Sequence, residues 1–117
     1  MISLGVSSYQ IYAAAMDMRK GIDSLAAVVQ GELGRDPASG EAFVFVGKRY
    51  DRLKVLIWKP GGFWLCQCRL ERGRFRIPQV RRSNGQVCAV RLSEVEWRCL
   101  LEGVVVEKAR RLKRYHE

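Results

Sequence analysis

The chain has 117 residues, a formal net charge of +9 and a hydrophobic content of 48%. A chain of this length forms one domain that can bury about two thirds of its unfolded surface without a metal or a disulfide. No apolar run approaches the ~18 residues that a membrane-spanning helix needs, and the first residues lack the basic start of a targeting segment. We therefore expect a cytoplasmic domain without a membrane segment.

The positive charge is concentrated in two parts of the chain. Residues 44–82 carry eleven lysines and arginines against two acids, and residues 108–117 carry five against one. The remaining residues contain more acids than bases. Concentrated positive charge is the electrostatic pattern of a protein that binds a polyanion such as nucleic acid.

A strand and a helix are the first elements predicted along the chain. Residues 9–13 alternate well enough for a first strand. Asp17 can cap a helix over about residues 17–30. Its apolar stripe is formed by Met18, Ile22, Leu25 and Val29.

Residues 43–76 are the centre of the predicted fold. Three runs rich in Val, Ile, Phe and Trp are separated by turn residues, which is typical of a β-meander. The second turn contains Pro60, Gly61 and Gly62, which supply a fixed φ and the option of a positive φ.

Each strand of the meander has one apolar face and one mixed face, because side chains alternate across a strand. The apolar faces consist of Leu53, Val55, Ile57, Trp64, Cys66, Cys68 and Leu70. We expect the first helix to pack on these faces. The mixed faces contain Arg52, Lys54, Trp58, Phe63 and Arg69. Two interpretations of the mixed faces stay open: a solvated outer surface, or a platform that contacts a partner.

The last part of the chain predicts a loop, a strand, a helix and a tail. Residues 78–86 form a polar loop, and residues 87–92 alternate as a short strand. Ser93 and Glu96 have the spacing of a capping box, so a second helix should begin at Ser93. The expected fold class is therefore α+β. It consists of a single domain over residues 1–103, with an antiparallel meander of about four to five strands, one helix packed on the sheet and a C-terminal helix. Residues 104–117 are a basic tail.

Neither the cysteines nor the acidic residues indicate a metal site or an enzyme. Cys66, Cys68, Cys88 and Cys99 have no zinc-like spacing, so we expect free thiols in the core and no cofactor. Metal-assisted phosphodiester cleavage needs convergent carboxylates. The available acids, by contrast, look like caps, turn residues and helix ion-pair partners. The chain is expected to be non-catalytic.

Several ordered motifs resemble one known family. They are Asp17-Met18-Arg19-Lys20-Gly21-Ile22-Asp23, Asp36-Pro37-Ala38-Ser39-Gly40, Phe43-Val44-Phe45, Asp51-Arg52-Leu53-Lys54-Val55-Leu56-Ile57-Trp58, Gly62-Phe63-Trp64-Leu65, Arg69-Leu70-Glu71-Arg72-Gly73-Arg74-Phe75 and Leu100-Leu101-Glu102-Gly103. Over about residues 10–103 the chain resembles the small TnpB-type accessory protein, or second-reading-frame product, of the bacterial IS-sixty-six class of insertion sequences. The resemblance implies a protein that is encoded beside a separate, larger transposase and assists transposition.

Two interpretations of the function stay open beside this resemblance. In the first, the chain binds DNA through the meander and the adjacent loop. The residues expected to contact DNA are Arg49, Arg52, Lys54, Arg69, Arg72, Arg74, Arg76, Arg81 and Arg82, with Phe63 and Phe75 as exposed aromatics that stack on bases. In the second, the chain is an adaptor that docks on the transposase without touching DNA. The adaptor interface would be formed by Asp17, Arg19, Lys20 and Asp23.

Overall fold

The computed structural model describes residues 5–6, 8–77 and 84–102. In chain order the elements are β1 (Tyr9–Met16), α1 (Ile22–Gly31), β2 (Ala42–Gly47), β3 (Arg52–Lys59), β4 (Gly62–Arg69), β5 (Ala89–Leu92) and α2 (Glu94–Leu101). The strands form one sheet in the order β4-β3-β2-β1-β5. The predicted α+β fold class with two helices is confirmed, and the sheet, which was expected to be antiparallel, is mostly so.

One strand pair of the sheet is parallel. β1 and β2 run in the same direction, with Tyr9 opposite Ala42 and Met16 opposite Gly47. Parallel neighbours cannot be joined by a tight hairpin, so the chain crosses over through α1. The carboxyl ends of β1 and β2 therefore lie side by side at the same end of the sheet.

Helix α1 begins later than the sequence predicts. Its N-cap is Gly21 and its first residue is Ile22. Asp17 does not cap this helix, because its side chain accepts a hydrogen bond from the backbone N–H of Arg19 at 2.9 Å. Such a bond closes a local turn and is an alternative to the helical backbone. Residues 17–21 consequently form a loop between β1 and α1.

The first helix also packs on the face of the sheet opposite to the predicted one. Leu25, Val28 and Val29 of α1 belong to a buried cluster with Phe43, Phe45 and Leu56, against which Phe63 and Leu65 of β4 are packed. The predicted apolar face of β3 belongs instead to a second cluster, which contains Phe75, Trp97 and Leu100. The sheet is therefore covered on both sides, and its central strand β2 is buried throughout.

Helix α2 begins as predicted. Ser93 is the N-cap, and its hydroxyl accepts from Glu96 N–H at 3.1 Å while the Glu96 carboxylate accepts from Ser93 N–H at 3.0 Å. This reciprocal pair satisfies two backbone donors at the helix start. Trp97 stacks on Tyr9 with ring centroids 4.7 Å apart and so fixes α2 against the edge of β1. Among the described residues, neither α1 nor α2 has the length and apolar character of a membrane-spanning helix.

Candidate nucleic-acid interface

The loops that follow β1 and β2 enclose a cleft of about 450 Å³. Both loops follow the carboxyl ends of parallel strands. Open sheets with parallel strands commonly bind ligands at that end of the strands. The cleft is lined by Met16, Asp17, Met18, Arg19, Gly47, Lys48, Arg49, Asp51 and Arg52. Four of these nine residues are cationic and two are acidic.

The first loop is held in shape by an ion pair within it. The Arg19 guanidinium lies 2.9 Å from an Asp17 carboxylate oxygen, and both side chains are exposed. Hydrogen bonds from the Arg19 side chain and then from its backbone lower the pKa of Asp17 well below its usual value. The same partner raises the pKa of Arg19. Asp17 therefore neutralises Arg19, and the loop contributes little net charge to the cleft.

The second loop depends on a glycine and on a left-handed residue. A Cβ at Gly47 would lie 2.6 Å from Cγ of Met18, so a larger residue at this position would force the Met18 side chain to move. Tyr50 adopts a positive φ of 60°, and its N–H donates to the carbonyl of Gly47 at 2.9 Å. This tight turn leaves Lys48 and Arg49 exposed at its tip.

A second cleft of about 230 Å³ shares Met18 and Arg52 with the first. Arg52 and Arg69 are direct register partners on β3 and β4, and both are exposed. Like charges directly opposite each other destabilise a strand pair. An anion placed between them removes that penalty. Lys54 also lines this cleft, but its Nζ donates to the carbonyl of Lys20 at 2.8 Å and so ties β3 to the first loop.

The chain after β4 returns across the second loop and brings three further arginines. Leu70 N–H donates to the carbonyl of Asp51 at 2.7 Å, and Phe75 N–H donates to the carbonyl of Tyr50. Phe75 is 1% exposed and anchors this segment in the core. The exposed arginines of the segment are Arg72, Arg74 and Arg76.

We call the exposed cations at this end of the strands the basic end. It consists of Lys48, Arg49, Arg52, Arg69, Arg72, Arg74 and Arg76. Within the described ranges, Arg69 is the one member with an ion pair, a 3.6 Å contact to Glu71 in which both side chains are exposed. A surface pair of this kind contributes little to stability, but Glu71 still offsets the charge of Arg69. The other six cations of the basic end have no ion-pair partner among the described residues.

The structure corrects several of the site residues expected from sequence. Phe75 was expected to be exposed for stacking on bases, and this is wrong because the ring is a core anchor. Phe63 is half-buried and packs edge-on against Trp58, with centroids 5.0 Å apart. Trp64 was expected in the core, and this is also wrong because it is 63% exposed. Arg81, Arg82 and the tail 104–117 lie outside the described residues.

The proposed adaptor residues lie beside the first cleft and at the start of α1. Arg19 pairs with Asp17 and not with Asp23, which is exposed in the first turn of the helix. Lys20 contributes its backbone carbonyl to Lys54. The four adaptor residues therefore lie in or next to the loop 17–21. Among them, only Asp17 and Arg19 form an ion pair with each other.

The cysteines are free but are not core residues as expected. Cys66 and Cys68 are exposed on β4, and Cys88 and Cys99 are half-buried. The pairing of β4 with β3 leaves one face of β4 uncovered, which local alternation in the sequence does not reveal. Across residues 5–6, 8–77 and 84–102, no group of three or more potential metal ligands comes together.

Comparison with known proteins identifies close sequence relatives but no structural one. The model of the family described as "IS66 Orf2 like protein" matches residues 7–111. Two proteins of Sinorhizobium fredii are similar over 89 residues. The uncharacterized protein y4jC is 37% identical, with 76% of this chain and 72% of the relative covered. The uncharacterized protein y4hO is 40% identical, with 75% and 72% covered. No solved structure matches the chain.

Proposed function

Because the chain belongs to the IS66 Orf2-like family of accessory proteins of insertion-sequence transposition, we propose that it assists transposition by binding DNA through the basic end. The separate transposase of the same element supplies the catalysis in this proposal, and this chain acts without chemistry of its own. Its ligand would be the DNA of transposon ends or of transposition intermediates.

The observation that carries the proposal is the uncompensated charge around the two adjoining clefts. Lys48, Arg49 and Arg52 have no ion pair among the described residues, and Arg52 faces Arg69 across two strands. Folding has therefore brought like charges together at a cost that a phosphate backbone would offset. Guanidinium groups suit this role because their planar donors match phosphate oxygens.

The same geometry supports phosphate contact rather than base reading. Neither aromatic residue that was expected to stack on bases is fully exposed, because Phe75 is buried and Phe63 is half-buried. Contacts to phosphate set affinity and register but carry no direct sequence information. We therefore expect binding with little sequence preference and with a steep dependence on salt.

Fluorescence anisotropy of a labelled duplex tests the proposal. The logarithm of the binding constant should fall with the logarithm of salt concentration at about −0.9 per phosphate contacted, and we expect about four to six contacts. The variant Arg49→Ala/Arg52→Ala should flatten that slope by about two and weaken binding to all sequences alike.

A matched control removes the same net charge elsewhere. Arg91 lies opposite Gln10 near the start of β1, at the other end of the strands, and Arg98 is paired with Glu94 on α2. The variant Arg91→Ala/Arg98→Ala should change the slope by no more than about 0.5. If the wild-type protein does not bind at low salt, the DNA proposal fails and the adaptor interpretation replaces it. If both double variants bind alike, the basic end is not the surface that contacts DNA.

A further inference from the structure

The open edge of β4 is unusual for a strand at the border of a sheet. β3 is its one strand partner in the part of the chain that the structure describes, and the pairing runs over all eight residues of β4. Edge strands are normally protected by charges, proline, bulges or shortness. The other edge strand, β5, has four residues and carries Arg91. Residues 62–68 of β4 carry no charge and no proline.

The hairpin between β3 and β4 determines which backbone groups point outward. Lys59 and Gly62 are register partners on either side of the two-residue loop 60–61, and Gly61 has a φ of 103°. The pair that closes such a loop is hydrogen-bonded, and the pattern then alternates along the strands. Phe63, Leu65, Gln67 and Arg69 therefore direct their N–H and C=O groups to the open edge.

We propose that a second copy of this chain occupies this edge, with the two β4 strands antiparallel about a two-fold axis at Cys66. Each outward-pointing residue then pairs with an outward-pointing residue of the other copy, because Leu65 lies opposite Gln67 and Phe63 opposite Arg69. The result is a continuous ten-stranded sheet. A two-fold axis makes the same patch complementary to itself, as a closed dimer requires.

The side chains have favourable partners in this register. Trp64 would lie opposite Cys68 of the second copy, which allows a contact between sulfur and an aromatic ring. On the other face, Arg69 would lie beside Phe63, a pairing that permits a cation–π contact. A register centred on Trp64 would instead pair only residues 62–66 of each β4 strand, because residues 67–69 would then lie opposite the hairpin turn and the end of β3.

Disulfide cross-linking tests the register with a matched pair of variants. Each variant keeps one cysteine, Cys66 or Cys68, and has serine at the other three cysteine positions. In the proposed dimer the two Cys66 residues are a non-hydrogen-bonded pair, with Cα atoms about 4.5 Å apart, within the range of a disulfide. The two Cys68 residues are offset by four positions, or about 14 Å.

The oxidant is diamide, which accepts the two electrons and two protons that a pair of thiols releases when the disulfide forms. The variant that keeps Cys66 should give a covalent dimer at least tenfold faster than the variant that keeps Cys68. Equal rates, or a faster reaction at Cys68, would overturn the register. Both cysteines are exposed in the monomer, so random collision predicts equal rates.

Sedimentation equilibrium without DNA tests the association itself, independently of the proposed function. One strand per copy makes a small interface, so we expect a dissociation constant of about 10–100 μM. Gln67→Pro removes an outward N–H without breaking the β3–β4 ladder, as proline does at an edge, and should abolish the dimer. If that variant does not fold, Gln67→Lys should weaken the dimer at least tenfold. A wild-type chain that stays monomeric at several hundred micromolar overturns the proposal. The partner expected at the edge of β4 would then be an extended segment of a different protein.

Discussion

Glu41 is the best place to perturb the join between β1, α1 and β2. It directly precedes β2, and its side chain is 17% exposed. Its carboxylate accepts from Ser8 Oγ at 2.7 Å, from Gln10 Nε2 at 3.0 Å and from Arg35 Nη2 at 3.1 Å. The carboxylate thus connects the start of β1 to the loop that follows α1. We expect Glu41→Gln to destabilise the fold in a pH-dependent way.

The size of the effect follows from the ionisation of this carboxyl. Burial alone would raise the pKa of Glu41, but the hydrogen bonds from Arg35, Ser8 and Gln10, together with the Arg35 charge, lower it from 4.5 to about 2. At about 1.4 kcal/mol per pKa unit, the upper limit of this contribution is about 3.5 kcal/mol. Arg35 is 40% exposed, so solvent screening reduces the expected contribution to about 1–2 kcal/mol. Because the folded-state pKa is depressed, this stability is present above pH 4.5 and is lost as the pH falls from 4.5 toward 2.

Urea unfolding between pH 7 and pH 2.5 measures this contribution. The free energy of unfolding of Glu41→Gln should lie about 1–2 kcal/mol below wild type at pH 7, and the gap should narrow as the pH falls below 4.5. Glu32→Gln is the control, because Glu32 accepts a 2.7 Å hydrogen bond from the neutral hydroxyl of Tyr12. A gap for Glu41→Gln that is constant with pH, or one that the control reproduces, would refute the role assigned to the Arg35 pair.

Three further predictions concern the elements that position the basic end and α2. Phe75→Ala should lower the free energy of unfolding by about 3–5 kcal/mol, since it empties a fully buried ring site. Phe63→Ala, at a half-buried ring, should cost less in the same urea titration. Gly47→Ala should be destabilising because of the clash with Met18, and a second substitution, Met18→Ala, should restore part of the loss. Additive effects in that double variant would count against the clash. Ser93→Ala should cost about 1 kcal/mol by thermal unfolding through loss of the cap, and an unchanged melting temperature would contradict it.

Local signals in the sequence predicted the helices and strands. They did not predict which face of the sheet α1 covers. The hairpin at Pro60 and Gly61 and the capping box at Ser93 each depend on residues that are adjacent or one turn apart. The face that α1 covers depends on the whole sheet. Both faces of β3 are apolar enough to be buried, with Val55 on one side and Leu56 on the other. Alternation therefore could not decide which face receives the helix.

Phe75 and Trp64 were misplaced for the same reason. Phe75 stands between two exposed arginines in an irregular segment, and it is buried because the chain turns back over Tyr50 after β4. Trp64 has the alternation of a core residue, but it lies on an edge strand beyond the reach of Phe75 and Trp97, which cover β3 on that side. Burial in both cases is set by contacts between residues distant in sequence.

The two proposed surfaces share β4, but only DNA binding should weaken steeply as salt is added. In the proposed dimer Arg69 lies opposite Phe63, so the two Arg69 residues are separated by about six strand positions, or about 20 Å. That distance exceeds the Debye length of about 8–10 Å at physiological ionic strength. Repulsion between the basic ends is therefore weak, and added salt should leave the dimer unchanged or slightly stronger. DNA binding should fall steeply over the same range because it releases counterions. Sedimentation and anisotropy at 50 and 200 mM salt compare the two. A dimer that dissociates with salt as steeply as the DNA complex would show that charge, and not the uncharged edge of β4, holds the copies together.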